Sequence, residues 1–158
     1  MIHLTFTIPG LAVGKQEKAS TRLSKRGTLV GYIYTCVKSR AYMAHVARCA
    51  REAIAEQKIL DAPCDDALAV EIVAFFPRPK SVPKSQKYPL NRVDCTNIQK
   101  GIEDALHKPK PIAFRNDCHV VSIKTDKRYC VNGMSPQTRV EIWTAGTLRD
   151  NARPRKGE

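Results

Sequence analysis

The sequence predicts an α+β fold: a mixed β-sheet of about four to five strands covered by one long helix and a shorter helix that carries the functional site. Three observations lead there. Residues of β-type, alternating or in short apolar runs, occupy 2–8, 67–76, 118–124 and 138–143. Apolar residues recur instead at helical spacing over 39–59 and 96–106. The chain has 158 residues, 42% of them hydrophobic, enough for one core without disulfide staples. A single domain over 1–146 is therefore expected, with a basic, flexible tail at 147–158 that holds Arg149, Arg153, Arg155 and Lys156.

In order, Ile2, Leu4, Phe6 and Ile8 alternate with polar residues as in a half-buried strand, which Pro9-Gly10 ends. Lys15, Lys18, Arg22, Lys25 and Arg26 follow among small polar residues up to Gly27 and read as a basic loop able to track a phosphate backbone. Residues 28–37 are rich in β-branched and aromatic types and suggest a short strand or hairpin arm. Ser39 offers an N-cap for a long helix to about Ile59, with Tyr42, Val46, Cys49, Ala53 and Ile54 on its buried side. Asp61-Ala62-Pro63 breaks it, and residues 67–76 form a central strand whose one charge, Glu71, must be paired, solvated or bound to metal.

Residues 77–92 contain four prolines with Arg78, Lys80, Lys84, Lys87 and Arg92, a cationic irregular loop suited to gripping a nucleic-acid backbone. Thr96 and Gln99 then form a capping box, and Ile98, Ile102, Ala105 and Leu106 make the apolar stripe of a short helix. Asn97, Lys100 and Asp104 share its opposite face. After the basic turn at 107–111, strands are expected at 118–124 and 138–143, the second after a turn at Asn132-Gly133 and with Trp143 in the core.

The balance of 27 Lys+Arg against 15 Asp+Glu, a formal charge of +12, favours a polyanionic partner. Nucleic acid is expected. There is no run of roughly 20 apolar residues to span a membrane and no amphipathic anchor, so no membrane partner is expected. The N-terminus has no charged leader with an apolar segment and cleavage site, which points to the cytoplasm. The six cysteines form no C-x-x-C pair and read as reduced, buried thiols. Zinc on Cys95, Cys118, His119 and Cys130 is disfavoured for want of two tight ligand pairs.

Chemistry concentrates at 93–121. Asp94 precedes a helix N-terminus, where free N–H groups and the helix dipole favour an anion or a metal-bound phosphate. Phosphodiester hydrolysis needs an activated water and neutralised phosphoryl charge, which a carboxylate-held divalent metal supplies. Magnesium, or manganese in its place, on Asp94 and Asp117 would serve, with Lys100 as a point charge near the developing oxyanion. Asp104 sits one turn from Lys100 and is a candidate to position it. His119 would share a strand face with Asp117, as a general base or simply as a strand histidine. No local set nominates a serine or cysteine nucleophile, and no small-molecule cofactor is called for.

The residues Asp94-x-Thr96-Asn97-Ile98-x-Lys100, Glu103-Asp104-Ala105-Leu106 and Asn116-Asp117-x-His119-Val120 resemble the active-site region of the RusA family of Holliday-junction resolvases. Phe6-Thr7-Ile8-Pro9-Gly10 with Lys15, and Tyr34-Thr35 through Ser39 to Tyr42, resemble the start of its phage-borne members. The resemblance implies a magnesium-dependent endonuclease, usually a homodimer, that makes paired nicks in branched double-stranded DNA during recombination, repair or phage DNA processing. It would act in the host cytoplasm or nucleoid if phage-encoded. The family's aspartates carry over to Asp94 and Asp117 and its lysine to Lys100. Where the family often has a second aspartate this chain has Thr96, so Asp104, Glu71 or a water would complete the site, with Asn97 and His119 beside it. The competing readings are a non-catalytic basic junction-binding protein and a related nuclease preferring forks or flaps.

Overall fold

The structure is a computed structural model, which describes residues 2–90 and 92–146. The expected tail at 147–158 lies outside the described residues. Strands β1 (His3–Pro9), β4 (Leu68–Phe76), β5 (Val120–Tyr129) and β6 (Gln137–Thr144) form one mixed sheet in the order β1-β6-β4-β5. Strands β2 (Glu17–Leu23) and β3 (Leu29–Thr35) form a separate two-stranded ribbon. Helix α1 (Val37–Glu56) and helix α2 (Cys95–His107) pack on each other, α1 also on β1 and α2 also on β5. The α+β expectation and its mixed sheet hold.

β4 is central, antiparallel to β6 and parallel to β5. Two parallel neighbours need a crossover, and α2 supplies it. Alternation assigns the faces: Leu4, Phe6 and Ile8 of β1, Val70, Ile72 and Ala74 of β4, and Val140 and Ile142 of β6 are buried in one core with Val46 and Ala50 of α1. The stripe Ile98, Ile102, Ala105 and Leu106 of α2 joins the same core, as its spacing predicts. Tyr42 is also core, and its hydroxyl lies 3.3 Å from Thr138 Oγ1.

Several expectations are corrected. The "basic loop" is mostly β2, because its polar residues pair residue for residue with β3 and need no buried face to do so. α1 begins earlier and ends earlier: Cys36 occupies its N-cap and Gln57 its C-cap, while Ser39 is buried within it. Ser39 Oγ instead donates to Gly14 O at 2.9 Å and accepts from Gln16 N at 3.1 Å, tying the incoming chain to the helix. The capping box at Thr96 is not formed, since α2 starts at Cys95 and the Asp94 carbonyl accepts from Ile98 N at 3.1 Å. Trp143 is only half-buried, as it alternates with Ile142 and falls on the outer face of β6.

Asn132-Gly133 does turn, with Gly133 at φ 80°, but β5 and β6 are separated by β4 rather than joined as a hairpin. All six cysteines are free, and of these Cys49 and Cys64 alone are buried, with Cys118 exposed. Glu71 is paired: Lys124 of β5 lies 2.8 Å away, offsetting the like charge of Glu141 directly opposite on β6. Its carboxylate is thus paired across the sheet to β5. No helix among the described residues is long and apolar enough to cross a membrane.

Candidate active site

The site is built on α2, whose 3.6-residue period sorts its side chains into flanks around the buried stripe. Asn97, Gly101 and Asp104 face the segment that enters from β1. Gln99, Glu103 and His107 face the chain returning to β5. Thr96 and Lys100 lie on the exposed crest between, both exposed to solvent.

The first flank is an ion-paired wall. Lys15 N donates to Asn97 O at 2.8 Å, laying residues 13–15 along the helix, and Gly101 lies beneath them, its α-carbon side 3.5 Å from Lys15 N for an added Cβ. Gly14 approaches so closely that a Cβ there would overlap the Val93 side chain and come within 2.8 Å of Asn97 Cβ. Lys15 Nζ then reaches Asp104 at 2.6 Å and Glu17 at 2.7 Å, and Lys108 Nζ lies 3.2 Å from Asp104. Burial pulls the Lys15 ammonium pKa down, but its bonds and charge interactions with Asp104 and Glu17 outweigh this and leave it above 10.5. Burial likewise pushes the Asp104 carboxyl up, and Lys15 and Lys108 together bring it below 3.8.

Two expectations change here. Lys15, with a side chain only 13% exposed, anchors the entry segment and is not free to track DNA. Asp104 is paired with Lys15 and Lys108 rather than with Lys100. Lys100 projects from the crest close enough to Glu17 for its charge to lower that carboxyl, after the larger effects of the Lys15 hydrogen bond and charge.

The second flank is a carboxyl cluster. Asp117 Oδ2 lies 3.9 Å from His107 Nε2, and His107 Nδ1 is 2.8 Å from Glu103 O while its ring stacks on Phe114. The Glu103 carboxyl is held above its usual value first by burial, with the charge of Asp117 and then that of Asp104 adding to it. Gln99 Nε2 donates to it at 3.4 Å. Residues 117–119 form a 3₁₀ turn, with Asn116 Oδ1 accepting from Cys118 N at 3.3 Å, and not the start of a strand. His119 therefore does not share a strand face with Asp117, and its Nδ1 is buried without a partner among the described residues.

Asp94 is exposed at the mouth of α2, with no side-chain bond to the helix. Thr96 sits in the first turn, where it caps nothing. Among the described residues no three His, Cys, Asp or Glu side chains are grouped to hold a metal. The donors that remain, Asp94 and Asp117 with the Thr96 hydroxyl and Asn97 amide nearby in sequence, are hard oxygens. That set fits a hydrated magnesium bound through one or two carboxylates and completed by water and substrate phosphate, not a protein-only cage.

Of the cations before the helix, Lys80, Lys84, Lys87 and Arg92 are exposed as expected, and so are Lys18 and Arg22 on the ribbon. Arg78 is turned inward: its Nη1 donates to Pro83 O at 2.8 Å and Gln86 O at 2.9 Å, and its guanidinium lies 4.1 Å from the Tyr129 ring centroid. It braces the loop against β5. Sequence reading missed this brace, although Arg with an aromatic partner is a known stacking pair.

A family model described as Endodeoxyribonuclease RusA matches residues 9–143. The chain belongs to the RusA endodeoxyribonuclease family. The match to RusA takes in β2 and β3, both flanks of α2 and the strands that carry them. No curated protein matches the chain. RusA membership makes it a DNA phosphodiester hydrolase by family, and places its exposed cations and the α2 crest in a nuclease.

Proposed function

We propose that the chain is a divalent-metal-dependent, structure-selective endonuclease that resolves four-way DNA junctions by paired nicks, working as a homodimer built from one nuclease domain over 1–146. The observation that carries this reading is the exposed α2 crest, with Lys100 between the ion-paired Lys15–Asp104 wall and the Asp117 cluster. Asp94 and Asp117 would hold magnesium or manganese, which when bound activates water and neutralises phosphoryl charge. Lys100 would face the scissile phosphate as a point charge, with the carboxylate one turn on, Asp104, paired to Lys15. Lys80, Lys84, Lys87 and Arg92 hold the strand before the helix mouth. A two-fold dimer would offer one crest to each of two strands of a two-fold junction.

The test is cleavage of a synthetic four-way junction, a fork and a linear duplex with and without Mg²⁺. Symmetric nicks in the junction are expected, with Asp94→Asn and Asp117→Asn losing cleavage while retaining binding. Cleavage undiminished in both variants would refute the site. The competing reading is a junction-binding protein that does not cut; binding without nicks at any metal concentration would establish it.

A further inference from the structure

The β2–β3 ribbon stands outside the main sheet, and its two faces differ in chemistry. Its register places Lys18 opposite Tyr34, Ser20 opposite Tyr32 and Arg22 opposite Val30, so these six side chains share one face. No carboxylate lies among them. Tyr32 and Tyr34 are 42% and 41% exposed, since no second layer among the described residues covers this ribbon, and both rings are open to a ligand. Their ring centroids are 5.9 Å apart, and the Arg22 guanidinium lies 5.6 Å from the Tyr32 centroid. Lys25 and Arg26 extend the positive charge into the tip, where Ser24 Oγ accepts from Arg26 N at 3.3 Å and Thr28 N at 3.1 Å.

We infer that this face of the ribbon is a stacking platform for unpaired DNA bases at a branch point, with Tyr32 and Tyr34 under the bases and Lys18 and Arg22 on the flanking phosphates. Cations interleaved with exposed aromatic rings are what single-strand recognition requires, since a π-face accepts any base and charge follows the backbone. A protein partner offering acidic side chains would satisfy Lys18 and Arg22 but leave no reason for two neighbouring exposed rings. The root of the ribbon is fixed: Cys36 N donates to Gln16 O at 2.9 Å, Ser39 holds Gly14 and Gln16, and Lys15 pairs with Asp104 of α2. Glu17, the first residue of β2, feels the charge of Lys100. The platform thus starts beside the α2 crest, and a base seated on it brings its own strand to that crest. The inference rests on the reading of the crest as a nuclease site for branched DNA.

The experiment measures binding of the full chain, by fluorescence anisotropy without metal, to an oligothymidine strand, a four-way junction and a blunt linear duplex. Tyr32→Ala/Tyr34→Ala should weaken strand and junction binding by about tenfold or more while changing duplex binding less than about twofold. Tyr32→Phe/Tyr34→Phe should bind like the wild type, because the ring and not the hydroxyl is used. Lys18→Ala/Arg22→Ala should weaken all three and flatten their salt dependence. Equal losses on duplex and strand, an equal loss in the phenylalanine pair, or a change of oligomeric state in the alanine pair by sedimentation would overturn the proposal. Junction cleavage with tyrosine-independent strand binding would refute the platform alone. Tyrosine-dependent strand binding in a protein that never cuts would refute the nuclease reading and leave the platform standing.

Discussion

Asp104→Asn tests whether the ion-paired wall fixes the site. The substitution keeps shape and removes charge, leaving Lys15 with Glu17 at 2.7 Å but without its partner at 2.6 Å. Removing one partner of a fully buried pair costs about 3–5 kcal/mol. Lys15 is 13% exposed, and the asparagine oxygen can still accept a bond, so about 2–3 kcal/mol is expected. Lys108 adds little, its side chain being 60% exposed. For a domain near this size that is roughly 5–10 °C in Tm.

The pH dependence gives the sign. A carboxyl whose folded pKa lies below 3.8 contributes stability above that value and loses it as pH falls through the folded pKa. Lys15, raised above 10.5, contributes below that value and loses it as pH rises through its folded pKa. The difference between wild-type and Asp104→Asn urea midpoints should therefore be flat through neutral pH and close at both extremes. A gap under about 0.5 kcal/mol, or one that persists in acid below both pKa values, would refute the reasoning.

Gly14→Ala should cost about 1–3 kcal/mol in urea unfolding, because its methyl overlaps Val93 and Asn97 of the α2 mouth; an unchanged midpoint would show that the entry segment yields freely. Arg78→Ala should expose the 77–92 loop to limited proteolysis, and Arg78→Lys should not restore protection, since lysine cannot make both carbonyl bonds while stacking on Tyr129. Thr96→Asp should leave the melt unchanged or raise it by up to about 1 kcal/mol, as an acid in the first helical turn suits the dipole. It should also lower the Mg²⁺ concentration giving half-maximal cleavage, and an unshifted titration would show that no carboxylate is wanted at that position.

The core was legible because period alone decides it: Ile98, Ile102, Ala105 and Leu106, or Val70, Ile72 and Ala74, follow one repeat each and are all buried. The ribbon was half-legible. Its arm from Leu29 has β-type residues, but Glu17–Leu23 carries no apolar alternation, and its strand character comes wholly from pairing. Helix starts were misplaced for a related reason. Ser39 and Thr96 are good caps in isolation, yet tertiary bonding claims Ser39, and the Asp94 backbone opens α2 one residue before Thr96. Residue types named the site, but which charges remained free was set by contacts across 89 residues of sequence, as between Lys15 and Asp104, and no local pattern carries that.

That last contact reshapes the question of Thr96. Two acids, Glu71 and Asp104, stood as substitutes for the carboxylate that the family often places there, Asp104 also as a neighbour to the lysine of the crest. Glu71 is spent on Lys124, and Asp104 on Lys15 and Lys108, each at 3.2 Å or less. Beside Asp117 lies Glu103, half-buried, its carboxyl pushed up first by that burial, with the charge of Asp117 adding to it. A divalent cation bound beside it would oppose that rise, because a nearby opposite charge favours the ionised carboxyl. Under the proposed reading, Asp94 and Asp117 would be completed by water and substrate phosphate rather than by a further carboxylate, so metal binding and correct seating of the substrate would be coupled.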